Sequence, residues 1–248
     1  MPQHLSRART PNNWPIKRKA TKWITRINPG AHPIASAINL NLLLKAFLKY
    51  ATTSREVRSI LNQKIILIDK KPRTNPKFSI GVMDLIEVTK TKEAYRLILD
   101  ERGNFKLIPV KQESSSLKPC KIINKQVLHG NKTQLNLYDG RNILSEDKSL
   151  KVNDTIILDV TTNKIQGHLK FAKNSTIYLT AGKNAGTTGI LKDIYAEKSM
   201  LKPRILLDTG KEKIETLKAY AFVIDPQFIE PAAKQEHGTK HNEADQSK

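Results

Sequence analysis

The first 55 residues of this 248-residue chain contain no aspartate and no glutamate; the first acid is Glu56. Over the same stretch stand Arg7, Arg9, Lys17, Arg18, Lys19, Lys22, Arg26, Lys45, Lys49 and Arg55. A merely soluble surface mixes both signs of charge, so so one-sided a segment argues against an ordinary solvated face and calls for a polyanion. Cysteine is nearly missing too. Cys120 stands alone, which excludes an intrachain disulfide and any multi-cysteine metal site, and with no signal peptide in view the expected setting is a reducing cytoplasm. No apolar run nears the ~18 residues of a spanning helix, and no basic amphipathic helix of membrane type is present, so lipid headgroups are disfavoured as the polyanion. Hydrophobic residues make up only 38 %, which implies small cores and segments that order on a partner. What the chain has in excess is positive charge: 43 Lys and Arg against 23 Asp and Glu, a net +20. Nucleic acid is the partner this favours, because each phosphate neutralised releases condensed counterions.

Residues 1–38 lack helical or strand periodicity and are broken by Pro11, Pro15, Pro29, Gly30 and Pro33. They read as a basic extended arm, poorly ordered without RNA. Trp14 and Trp23 stand among Lys17, Arg18, Lys19 and Lys22. Indoles set between cations can stack on bases or sugars while the cations meet phosphate; the alternative is that both indoles pack on the neighbouring domain.

Leu40, Leu43, Leu44, Phe47 and Leu48 fall at the spacing of an amphipathic helix. Thr53 then opens a second helix with Glu56 at the capping-box position. Val57, Ile60 and Leu61 form its apolar side, Arg55 and Arg58 lie together on the other, and Lys64 follows in the connection. The β-branched run 65–68 predicts a strand ended by the turn Asp69-Lys70-Lys71-Pro72, with Arg73 and Lys77 beyond it and another strand over 85–88. Residues 39–92 thus form a compact α/β unit with cations on the helix pair and turn.

Short strands follow over 95–99, 105–109, 121–123, 134–138, 142–144, 155–159 and 176–181, separated by turns such as Arg102-Gly103-Asn104 and Asp139-Gly140-Arg141. This spacing predicts small barrels rather than a βαβ sheet. Residues 225–248 read as a disordered tail, where His237 and His241 have no third ligand to make a metal site. Between two strands, Gly182, Gly186 and Gly189 allow a tight loop whose backbone, near Lys183 and Asn184, can approach a phosphate. A plain hairpin is the other reading. A P-loop is excluded, since the Gly-Lys-Ser/Thr signature and its helix are missing.

The order of 40–50, Thr53-Ser54-Arg55-Glu56, 65–69 and Gly81-Val82-Met83-Asp84 resembles the S-four-type RNA-binding module, with Lys70 where that family usually has a turn glycine. The glycine loop resembles the KOW motif, with Thr187 at a position often held by arginine. Across residues 4–191, His4-Leu5-Ser6-Arg7, Trp14-Pro15-Ile16, Thr21-Lys22-Trp23, His32-Pro33-Ile34, Pro76-Lys77-Phe78, Asp100-Glu101-Arg102-Gly103 and Asp139-Gly140-Arg141-Asn142 together resemble the S-four-e family of archaeal and eukaryotic small-subunit ribosomal proteins. That resemblance implies an α+β multi-domain chain: basic extended N-terminal arm over 1–38, S-four-like α/β RNA-binding module over 39–92, central small β domain over 93–172 and C-terminal KOW/SH3-like β barrel over 173–224. The pattern departs from the family after Leu191.

The partners so implied are small-subunit ribosomal RNA and neighbouring small-subunit ribosomal proteins, with no membrane and no small-molecule substrate. RNA contacts are expected at Arg7, Arg9, Trp14, Lys17, Arg18, Lys19, Lys22, Trp23, Arg26, Arg55, Arg58, Lys64, Lys70, Lys71, Arg73, Arg141, Lys183, Asn184 and Gly186. No cofactor, metal or catalytic residue is expected: His4, His32, His129 and His168 are scattered, and Cys120 follows Pro119 without a nucleophile motif. The rival functions are a non-ribosomal RNA-processing factor or RNA chaperone with an S-four-like module, and then a transcription elongation factor with a KOW domain.

Overall fold

Three five-stranded antiparallel sheets carry the chain, as seen in a computed structural model that describes residues 4–17, 19–111, 115–129, 132–147, 149–195, 202–210 and 212–229. The first sheet runs Lys71–Pro72, Ile66–Ile68, Leu85–Val88, Glu93–Leu99, Phe105–Pro109 from edge to edge. Two helical segments complete its unit. Asn39 accepts the backbone N–H of Leu42 at 2.6 Å and so caps the first, which is α-helical over Leu40–Leu42 and continues in π geometry over Leu43–Phe47. The second, Ser54–Asn62, has the full capping box between Thr53 and Glu56. Leu40, Leu43, Leu44, Val57 and Leu61 are fully buried, as their helical spacing predicts.

The second sheet orders Asn142–Ser145, Thr133–Leu137, Leu117–Val127, Thr155–Asp159 and Ile165–Leu169 around Cys120, Ile122, Leu135, Leu137, Leu150, Ile156 and Leu158. The third orders Lys213–Leu217, Arg204–Asp208, Thr188–Tyr195, Thr176–Leu179 and Ala221–Val223 around Ile177, Leu179, Leu191, Ile205, Leu207, Ala221 and Val223. Each of these two cores holds seven buried residues, little for an independent domain.

Three expectations from the sequence change here. The strands 93–99 and 105–109 belong to the first sheet and not to a central domain, because Leu97, Leu99, Phe105 and Ile108 turn into the core built by the helix pair. The arm is docked rather than free. Leu5 pairs with Ile24, Trp14 is buried with its Nε1 donating to Ala37 O at 2.9 Å, and Ala37–Asn39 pairs with Ser79–Gly81. Its apolar contacts, Trp14, Ile27 and Ala37, are spaced too irregularly to make a periodic signal. The start of the expected tail is ordered too: Pro226–Phe228 forms a 3₁₀ turn and buries Phe228 against the first core, with the Arg96 guanidinium 4.8 Å from its ring centre. Residues 230–248, including His237 and His241, lie outside the described residues.

Buried polar contacts join the units. The Lys118 ammonium, in the second sheet, lies 2.7 Å from Asp69 Oδ2, 2.6 Å from Asp84 Oδ1 and 3.2 Å from Asp139 Oδ2. Arg141 bridges Asp69 and Asp139 at 2.7 and 3.2 Å, and His32 Nε2 reaches Asp84 at 3.2 Å. Burial alone would drive Lys118 towards neutrality, but Asp84, Asp69 and Asp139 override it and hold the ammonium pKa well above its ordinary value. Burial likewise opposes the Asp84 carboxylate, and Lys118 and His32 reverse that, keeping it well below the usual carboxylate range. Between the first and third units, Tyr178 Oη accepts from Leu99 N at 2.7 Å and donates to Leu99 O at 3.0 Å. Between the second and third, Lys121 Nζ donates to Ala219 O and Ala221 O at 2.8 and 2.7 Å; desolvation, then Lys218, lowers its pKa to about 8.

Lys118→Met is therefore expected to destabilise the chain by about 3–5 kcal/mol in denaturant melts at neutral pH, because three carboxylates lose their shared counter-ion. The pH dependence has a definite sign. The native Asp84 contribution is present above the ordinary carboxylate pKa near ~4 and lost as the pH falls, whereas the variant gains from protonating its repelling carboxylates, so the deficit narrows on acidification. At the contact between the first and third units, a Cβ on Gly186 (φ +88°) would lie 1.7 Å from Asp100 O, while Gly210 (φ +78°) faces open space. Gly186→Val is expected to lower stability by at least about 2 kcal/mol and Gly210→Val by about 1 kcal/mol, measured by the same melts.

Candidate nucleic-acid interface

The Ser54–Asn62 helix exists because its cap is strong and its apolar side is covered. Glu56 accepts from Thr52 N at 2.8 Å and Thr53 N at 3.4 Å, and these backbone bonds, with the Thr53 hydroxyl, lower its pKa to about 2. With Val57 and Leu61 buried, Arg55 and Arg58 are left exposed on the outer side, and Lys64 is exposed just past the helix, held in the left-handed region at φ +55°. Arg9, Lys17, Lys19, Lys22, Lys71 and Lys183 are exposed as well, and Trp23 is 52 % exposed. Arg18 lies outside the described residues.

Other residues expected on RNA are engaged within the protein. Trp14 is buried, so it packs on its neighbour and is unavailable for stacking. Arg7 spends its guanidinium on the arm, donating to Thr21 O at 2.7 Å, Lys17 O at 2.9 Å and Thr21 Oγ1 at 2.7 Å. Asp69 and Lys70 both take positive φ, 51° and 59°, in a two-residue hairpin turn, and Lys70 is tied to Glu87 at 2.6 Å and Ser115 at 2.9 Å. Those bonds offset the strain a glycine would have avoided and turn the ammonium inward. Arg73 stacks its guanidinium 4.4 Å from the Phe78 ring centre. Arg141 belongs to the buried ion cluster.

The glycine loop presses on protein. Gly186 meets the Asp100 carbonyl, Ala185 lies 3.6 Å from the position a Gly103 Cβ would take, and Asn184 is half-buried with its carbonyl accepting from Thr187. Lys183 alone among the loop residues named for RNA is exposed.

The geometry also brings together residues whose grouping local sequence does not disclose. His4, Trp23, Arg26, Asn41, Arg58 and Lys77 line one groove of about 300 Å³ between the arm hairpin and the second helix. The acids Asp69, Asp84 and Asp139 are turned inside, a fate that their distant partners Lys118, Arg141 and His32 explain.

Among the described residues catalytic chemistry is not assembled. Burial, then Asp139, pushes the Cys120 thiol well above its ordinary pKa, the wrong direction for a nucleophile. His32 is buried in an ion pair with Asp84, and His168 is paired with Asp154 at 2.8 Å. Among the described residues no group of three or more His, Cys, Asp or Glu side chains could hold a metal ion.

Comparison with known proteins converges on one family. Residues 91–165 match the model described as "Ribosomal family S4e". The small ribosomal subunit protein eS4 of Methanothermobacter thermautotrophicus is 39 % identical over 223 residues, 90 % of this chain and 92 % of that protein. Its counterpart in Methanocaldococcus jannaschii is 34 % identical over 94 % of this chain and 97 % of its own. The crystal structure of the 30S ribosomal protein S4e from Thermoplasma acidophilum superposes with a TM-score of 0.66 at 30 % identity, covering 76 % of this chain and 95 % of that one. Identity sustained over nine-tenths of both chains, on the same β-rich fold, means that this chain belongs to the S4e family of small ribosomal subunit proteins.

Proposed function

We propose that the chain is a structural constituent of the small ribosomal subunit, in the cytoplasm, that binds and stabilises small-subunit ribosomal RNA and abuts neighbouring ribosomal proteins. The observation that carries this reading is the segregation of charge. Asp69, Asp84 and Asp139 are consumed by a buried cluster, while Arg9, Lys19, Lys22, Arg55, Arg58 and Lys64 stand exposed on the arm and second helix. The chain holds no acid before Glu56, so this arm and helix side attract phosphate and gain from counterion release. In this reading residues 39–109 are the S-four-like module, the third sheet is the KOW-type barrel, and exposed Lys183 supplies that barrel's phosphate contact. The role is structural and not enzymatic. A non-ribosomal RNA factor would bind RNA without co-sedimenting with small subunits in moderate salt, so that measurement separates the two.

Arg55, Arg58 and Lys64 are the direct test, because fold and binding separate there. Replacing all three by Ala should weaken binding to small-subunit RNA and flatten its salt slope by roughly one unit per lost phosphate contact. The melting temperature should barely move, since exposed charges contribute at most about 1 kcal/mol each. A folded triple variant that keeps the wild-type salt slope would show that this helix side is not on RNA.

A further inference from the structure

We propose that the groove between the arm hairpin and the Ser54–Asn62 helix takes one unstacked base of a single-stranded or bulged RNA segment, lying against Trp23, with Arg58 and Lys77 on the flanking phosphates. This rests on the RNA-binding reading above and adds to it a site that distinguishes unpaired from duplex RNA.

The groove has the three features that capture of a single base requires. The first is a stacking face. Trp23 is 52 % exposed although the chain has a docked arm in which to bury it, and Trp14, nine residues earlier, is only 4 % exposed. An exposed indole leaves a large apolar face in water unless a planar partner covers it. Its present neighbours are His4, with ring centres 5.4 Å apart and planes tilted by 43°, and the Lys22 ammonium 5.2 Å from the ring centre. Both are exposed, and neither side chain is tied by a hydrogen bond or ion pair among the described residues, so a base can displace one or extend the stack.

The second feature is positive charge in the lining. Arg58 and Lys77 line the groove, and among the described residues no acid does. The third is an unsatisfied polar atom on a residue of its lining. Asn41 is 7 % exposed; its Nδ2 donates to Thr25 Oγ1 at 2.7 Å, and its Oδ1 is buried with no hydrogen-bond partner. A buried orphan acceptor is unfavourable, and if the groove lining opens to admit a base, a ring N–H or exocyclic amine is the donor that would satisfy it. A duplex can offer neither an open base face nor a free Watson–Crick edge, which is why the site selects unpaired RNA.

The full chain can be tested by tryptophan emission and filter binding, with an oligoadenylate single strand, an RNA duplex of equal length and a small-subunit rRNA transcript as probes. Trp14 is buried and serves as the internal reference. The wild type should be quenched by the single strand and the transcript but not by the duplex. Trp23→Phe should lose the quench while keeping most of the affinity. Trp23→Ala should bind the transcript roughly 5- to 150-fold more weakly, the range expected for one stacked base, with an unchanged salt slope. Arg58→Ala should instead flatten that slope. If the transcript binds the wild type normally but Trp23 emission does not respond and Trp23→Ala binds equally well, the base site is wrong and the RNA-binding reading survives. If Trp23→Ala binds the transcript normally yet fails to join small subunits, the groove holds a protein and the proposal is overturned. If the wild type binds no transcript, the underlying reading itself fails.

Discussion

One ammonium organises this molecule. Lys118 is 1 % exposed and sits among three carboxylates, two from the first unit and one from its own. Such an arrangement is poor in free energy unless every charge is matched and every remaining lone pair is used. Here the matching is close. Asp84 also accepts Gly81 N at 2.7 Å and pairs with His32, Asp69 accepts Leu85 N at 3.1 Å, and Arg141 bridges Asp69 and Asp139. Those bonds specify one orientation of the second sheet against the first, because any slip leaves a charge buried without its partner.

The cluster constrains residues that carry no charge. His32 reaches Asp84 only because Gly81 lets the imidazole come close; a Cβ there would lie 2.4 Å from the ring. The His32 pKa reflects the same tension, since burial lowers it, the Asp84 charge and hydrogen bond raise it, and the balance leaves it above its ordinary value. The segment 31–34 is thereby anchored at its centre, and the arm before it inherits a fixed path across the helix pair. Trp14 and Ile27 fill that path from within, and Trp23 is left outside it.

Docking also makes the small β units stable. Two cores of seven buried residues each need more than their own apolar contacts, and they obtain it from Tyr178, Lys121, Arg96 and Phe228, which cross between units. The charge consequence matters for function. The cluster withdraws Lys118 and Arg141 together with its three acids, so the field that attracts phosphate comes from the arm, which holds no acid before Glu56.

Local sequence determined the elements whose stabilising contacts are local: the capped helix Ser54–Asn62, strands such as Glu93–Leu99, Phe105–Pro109, Thr133–Leu137, Thr155–Asp159 and Thr176–Leu179, and the basic arm with its family resemblance; Ile165–Leu169, Arg204–Asp208 and Lys213–Leu217 gave no such signal. It could not decide which cations face water. Arg7, Lys70, Arg73 and Arg141 read like Arg55 and Arg58, yet the first four are engaged by partners within the fold. Trp14 and Trp23 looked equivalent and have opposite fates. The glycine loop likewise reads as a phosphate cradle until Asp100 is found against Gly186. The first core's claim on residues 93–109, and on Phe228, rests on the same kind of contact. In each case the deciding partner is remote: Arg141 meets Asp69 across 72 positions and Arg96 meets Phe228 across 132. Helical and strand periods describe neighbours within a few residues. Burial and ion pairing are properties of the assembled interior, and only the tertiary structure brings those partners together.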